Sequence, residues 1–193
     1  MSGTDYILGL LTIVTGLAVS DMVVSLHGLL MNRRLVKWDW LALLTAAFVF
    51  LLIINSWRLT YVAFEGSVKG PHIWIFLLIL APLISLYLAA RAALPDKVEL
   101  GKPFDLGQYY GFVGRYLWSA IAMLYGAVVL MAGLSYLTRG LSAEGDMYLA
   151  GLIGFPVALA LAIWPHRKLH RILVPLLLIW LCVRILPARL LTV

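Results

Sequence analysis

Residues 73–94 read IWIFLLILAPLISLYLAARAAL, with Arg91 as the single charge. A helix rises about 1.5 Å per residue, so about twenty apolar residues cross a hydrocarbon core of about 30 Å. Residues 115–138 form another run of this kind. The chain around them is equally apolar: of 193 residues 63% are hydrophobic and 12% charged, and the mean hydropathy is +0.99. Soluble domains use about 45–50% apolar residues, so this composition belongs in a bilayer.

Six spans follow, at about 5–30, 39–64, 73–94, 115–138, 147–164 and 170–190. They are separated by turns such as PHRKLH (165–170) and TRGLSAEGD (138–146), where Gly, Ser, Asp and Pro supply turn chemistry. Backbone exposed to lipid must satisfy its own hydrogen bonds, and the period-two alternation of a membrane barrel is missing. The expected fold is therefore an all-α membrane protein, one bundle of six transmembrane helices spanning 1–193.

Lys and Arg assign the sides. The connections after spans one, three and five carry Arg33, Arg34, Lys37, Arg91, Lys97, Lys102, Arg115, Arg167, Lys168 and Arg171, and the other side carries Lys69, Arg139 and Arg189. Ten against three places both termini on the non-cytoplasmic side. The first apolar run has no basic residue before it, holds Asp21, and is followed by Arg33 and Arg34, which suits an outward N-terminus rather than a cleaved leader. Cys182 is the single cysteine and excludes an internal disulfide. The net charge of +6 is scattered over short loops and forms no nucleic-acid stripe. The 95–114 connection is long enough to do more than turn. Asp105 and Gln108 have the spacing of a capping box that starts a helix near Leu106, and an interfacial segment is expected over about 104–114, with Phe104, Tyr109, Tyr110 and Phe112 in the headgroups.

Three full charges stand well inside the spans: Asp21, Arg58 and Arg184. Each costs about 2.5–3.5 kcal/mol near the bilayer centre on insertion scales, so each needs a partner, a wet cavity or a route to the surface. Arg58 and Arg184 lie at similar depth in the outer half, with Asp21 about 10 Å deeper, which argues against an Asp21–Arg58 pair. Two readings of the arginines stand. In one, Arg58 snorkels outward toward Glu65, and Arg184 stacks on Trp180 one turn earlier. In the other, Arg58 and Arg184, with Asn55 as a neutral donor, form an outward-facing site for an anionic substrate, since guanidinium holds an oxyanion by two parallel hydrogen bonds. Asp21, on one face with Ser25 and Gly28, is either a proton site or a helix-packing carboxyl.

Other features read first as packing. Thr12, Gly16, Ser20 and His27 form a small, polar stripe on span one, and Gly151 with Gly154, and Gly126 with Gly133, are expected to admit a neighbouring helix. Pro82, Pro156 and Pro175 each free a backbone carbonyl one turn earlier. His166 and His170 have metal-pair spacing but bracket Arg167 and Lys168, whose charge disfavours a cation. No metal or other cofactor is expected, and no phosphate loop, nucleophile with a base, or acidic metal cluster marks an enzyme.

GLAVSDMVVSLHGLL (16–30), the Arg33–Arg34 pair and VKWDWLALL (36–44) resemble the first two spans of an uncharacterised family of small bacterial multi-span inner-membrane proteins. The resemblance covers the first third of the chain. It implies a bacterial inner-membrane location and no activity.

Two functions are expected: a small transporter or channel-like protein for a small anionic solute, or a noncatalytic membrane subunit or scaffold whose polar residues fasten helices. The partners are the bilayer and either further copies of the chain or other membrane subunits, not nucleic acid. The orientation is directly testable. Arg34→Cys and Lys168→Cys, each in a Cys182→Ser background, should react with a membrane-impermeant maleimide in inside-out vesicles and stay unlabelled in intact cells. Labelling from outside the cell would reverse the topology.

Overall fold

The computed structural model describes residues 3–64, 73–96, 98–99, 101–139 and 145–185. Nearly all of them are helical, in α1 (Gly3–Met31), α2 (Trp40–Phe64), α3 (Ile73–Ala93), α4 (Leu106–Arg139), α5 (Gly145–Ile163) and α6 (Arg167–Ile185). Two short strands, β1 (Val36–Lys37) and β2 (Phe104–Asp105), pair in parallel between helices. Three stretches among the described residues are long and apolar enough to cross a membrane: Leu8–Met31, Trp40–Thr60 and Leu106–Leu134. The apolar parts described in α3 and α5, Leu80–Ala93 and Gly151–Ile163, are shorter.

The core lies where α2, α3, α4 and α6 converge. Phe48 of α2 and Trp118 of α4 stack with ring centroids 5.9 Å apart, surrounded by buried Leu41, Ile53, Leu86, Ile121 and Val174. Outward faces are apolar as well: Ile13, Val24, Ile172 and Val183 are 61–63% exposed. Glycines bring α4 and α5 together. A Cβ on Gly151 would lie 2.7 Å from Val129, and one on Gly126 would lie 3.1 Å from the Phe155 ring. Gly133 has nothing within 4 Å of its Cβ position and takes no part.

The polar stripe of α1 is turned the other way from the expected packing. Thr12, Gly16, Ser20 and His27 are all exposed, and a Cβ on Gly16 would meet nothing within 4 Å. The helix packs instead through Leu11, Ala18, Met22, Ser25 and Leu29, an equally well-spaced face that buries more apolar surface.

At one end of the bundle the three connections α1–α2, α3–α4 and α5–α6 are fastened to one another. Asn32, buried at the end of α1, donates to the Lys102 and Glu99 carbonyls (2.9 and 3.4 Å) and accepts from the Gly101 amide at 3.3 Å. Gly101 has φ of 83°, a left-handed conformation that favours glycine. The Phe104 amide donates to the Leu35 carbonyl at 3.1 Å, which brings β1 against β2. Tyr109 closes the end of α3 by donating to the carbonyls of Ala92 and Leu94.

Carboxylates start the helices here. Asp105 accepts the Gln108 amide at 3.0 Å, so the expected start at Leu106 is where α4 begins. Its carboxyl is held below the ordinary range by the Lys37 ammonium at 2.9 Å and by that amide. A depressed carboxylate stabilises the fold above the ordinary carboxyl range, and the contribution is lost as pH falls through its lowered value. Asp39 does double duty. One oxygen caps α2, taking the Leu41 and Ala42 amides at 3.1 and 3.2 Å, and the other pairs with Arg167 at the start of α6. A side chain on Gly107 would sit 3.1 Å from Asp39 Oδ2, which is why the close approach has glycine.

Segment 104–114 is not a separate piece of chain. α4 runs unbroken from Leu106, and Tyr110, assigned above to the headgroups, is 7% exposed, while Phe112 is 88% exposed. The Asp105 cap and the pairing of β1 with β2 set the helix on its final course from its first turn. Asp39→Ala should destabilise the protein by about 1–2 kcal/mol through the cap alone. Asp39→Asn, which keeps an acceptor, should lose less; thermal unfolding in detergent reads both.

Candidate functional site

Away from that fastened end, α2, α3, α4 and α6 part around an open cavity. The two arginines that the sequence places at matched depth both line it, together with Asn55, Tyr125 and Trp180. Asn55 stands one turn before Arg58 on the same face of α2, and Arg58 Nη2 donates to Asn55 Oδ1 at 3.3 Å. Arg184 approaches the cavity from α6 with its guanidinium carbon 5.3 Å from the Trp180 ring centroid. That is the stacking expected for Arg184, and here it occurs at the wall of the cavity. Glu65, the carboxylate toward which Arg58 could snorkel, lies outside the described residues.

Two donors on this wall lack acceptors. Arg58 Nε and the Tyr125 hydroxyl are buried and have no hydrogen-bond partner. Leaving such a group unpaired costs about 1–3 kcal/mol. Thr15 Oγ1 on α1 is likewise unpaired, but it does not line the cavity. Thr60, which does, spends its hydroxyl on the Ser56 carbonyl at 2.8 Å. Pro82 of α3 also lines the cavity. Lacking an N–H, it leaves one carbonyl of its helix without the usual donor.

Tyr125 was not among the residues singled out from sequence. Its place depends on Gly154 of α5: a Cβ there would lie 2.7 Å from the tyrosine ring. The available signal was a tyrosine in the middle of span 115–138, away from the interfaces where amphipathic rings settle.

Asp21 belongs to a different cluster. It accepts from the Tyr87 hydroxyl at 2.9 Å and from Arg91 Nη1 at 3.2 Å, while Arg91 Nη2 reaches Asp96 at 2.6 Å. Arg91, read from sequence as a topology signal, is thus the ion-pair partner of the buried-span carboxylate. Ser25 is buried one turn farther along α1, and neither residue lines the cavity. A third cluster joins α4 to α6. Trp118 Nε1 donates to the Tyr110 hydroxyl at 3.0 Å, and that hydroxyl lies 2.7 Å from His170 Nδ1. His170 Nε2 lies 3.2 Å from the Trp164 carbonyl, which assigns its proton to Nε2 and makes Nδ1 the acceptor. Both ring nitrogens are in use, and His166 and His27 are exposed.

No known protein family, curated protein or solved structure matches the chain. The chemistry of the cavity is therefore legible only from its own groups: two guanidinia, a phenol and an amide around an apolar hollow. If the two orphaned donors are held in place without partners, removing them should not harm the fold. Tyr125→Phe and Arg58→Met should unfold at or above the wild-type temperature, a gain of up to about 1–3 kcal/mol. A loss of that size in ligand-free protein would mean that both donors are already satisfied.

Proposed function

We propose that the protein is an integral membrane protein of six transmembrane helices with both termini outside the cytoplasm. In this reading it is a small transporter or channel-like protein that takes a small anionic solute at Arg58, Arg184, Asn55 and Tyr125. The observation that carries it is the pair of buried donors without acceptors, Arg58 Nε and Tyr125 Oη, on a cavity that a second guanidinium also lines. An oxyanion supplies what both donors lack. Support for six spans comes from the exposed apolar faces, which suit lipid, and from the gathering at one end of the connections that carry most of the basic residues. The bacterial inner-membrane setting rests on the resemblance of the first third.

A second reading, a noncatalytic subunit or scaffold, is favoured by the two closed networks. Asp21 with Tyr87 and Arg91, and Trp118 with Tyr110 and His170, tie helices together and serve no cavity substrate at the arginines. Uptake of radiolabelled acetate, octanoate and phosphate into proteoliposomes separates the two. Transport predicts saturable uptake of at least one anion, reduced at least about tenfold in an Arg58→Gln/Arg184→Gln double variant made at normal abundance, which corresponds to about 1.4 kcal/mol. A scaffold predicts no uptake by wild type and a double variant that loses abundance or assembly.

A further inference from the structure

We propose that the cavity takes an amphipathic anion, a carboxylate or phosphate head with an apolar body; this rests on the anion reading above and names its substrate class. The head fits the polar wall, where Arg58 Nε and the Tyr125 hydroxyl are donors without partners and Arg184 also lines the cavity. The rest of the wall does not suit a bare inorganic ion. Leu52, Leu83, Leu86, Leu124, Val128 and Leu181 line it, contributed by the same four helices. Chloride or phosphate at the arginines would leave this apolar wall facing water. An apolar tail covers it and removes that surface from water. Each buried methylene strengthens binding about fourfold.

Tyr125 is the geometric link between head and tail. Its ring packs against the face of Gly154, and its unpartnered hydroxyl is a neutral donor on the cavity that both guanidinia line. Gly154 is thereby a positioning residue: with any side chain there, the ring must move. The cavity opens between four helices rather than forming a closed chamber.

Scintillation-proximity binding of radiolabelled octanoate to the protein in phosphatidylcholine nanodiscs tests this. Octanoate should bind saturably, acetate and inorganic phosphate should compete at least about thirtyfold more weakly, and hexanoate should fall between, as a slope of up to about fourfold per methylene requires. Arg58→Gln should abolish the saturable component. Tyr125→Phe and Gly154→Ala should each weaken binding about tenfold, with no further loss when combined, because both remove the same hydrogen bond. Ligand-free unfolding temperatures accompany each variant, and Tyr125→Phe keeps the test valid if Gly154→Ala does not fold.

Competition identifies the source of the anion. Octyl phosphate that displaces octanoate, with no effect of phosphatidic acid in the nanodisc, assigns a free solute; displacement by both assigns a lipid. Acetate or phosphate binding as tightly as octanoate, still dependent on Arg58, overturns the amphipathic class and leaves the small-anion reading standing. Saturable octanoate binding that persists undiminished in Arg58→Gln overturns both.

Discussion

A polar group inside an apolar bundle must find a partner within it, because neither lipid nor packed hydrocarbon can supply one. The arrangement of this protein follows from how that demand is met. Asp21 obtains a phenol and a guanidinium from α3. His170 spends both ring nitrogens, one on α4 and one on its own connection. Asn32 uses its amide nitrogen and oxygen on a neighbouring loop. Against that background, Arg58 Nε and the Tyr125 hydroxyl stand out as demands unmet. That they share one cavity makes them a property of a site rather than two separate local costs.

The two ends of the bundle are built differently. At the fastened end, carboxylates at Asp39 and Asp105 do the work of caps and ion pairs together, so α2, α4 and α6 begin from a common frame. Each cap satisfies amides that a helix start would otherwise leave open, and each pair fixes one helix relative to another. The cavity lies farther along the same helices. Its shape is set by side-chain size: glycine at 154 admits the Tyr125 ring. The bundle thus has a polar frame at one end and an open hollow lined by two arginines toward the other.

The closed networks and the cavity draw on different sets of helices. The closed networks carry the helix pairs α1–α3 and α4–α6, and the arginines belong to α2 and α6. α6 takes part in both, through His170 and Arg167 near its start and Arg184 near its end. It therefore connects the frame to the cavity through one continuous helix, although Pro175 lies between them.

Much of the fold was legible in the amino-acid sequence. The apolar runs expected at 5–30, 39–64, 73–94 and 147–164 are helices within about two residues of those limits, while α4 begins at Leu106, ahead of the span expected from 115, because run length, turn residues and the Asp105 cap act locally. Composition also marked Arg58, Arg184 and Asp21 as groups in need of partners. Who meets whom was decided only by the tertiary structure. Helices that are apolar nearly all round carry no strong signal of which face turns inward, so the stripe of Thr12, Gly16, Ser20 and His27 could point out while Leu11, Ala18 and Met22 point in. For the same reason Arg91 gave no hint of Asp21, and Tyr125 none of the arginines: hydrophobic burial is non-directional, and only the packed helices supply the directions along which charges and hydrogen bonds find each other.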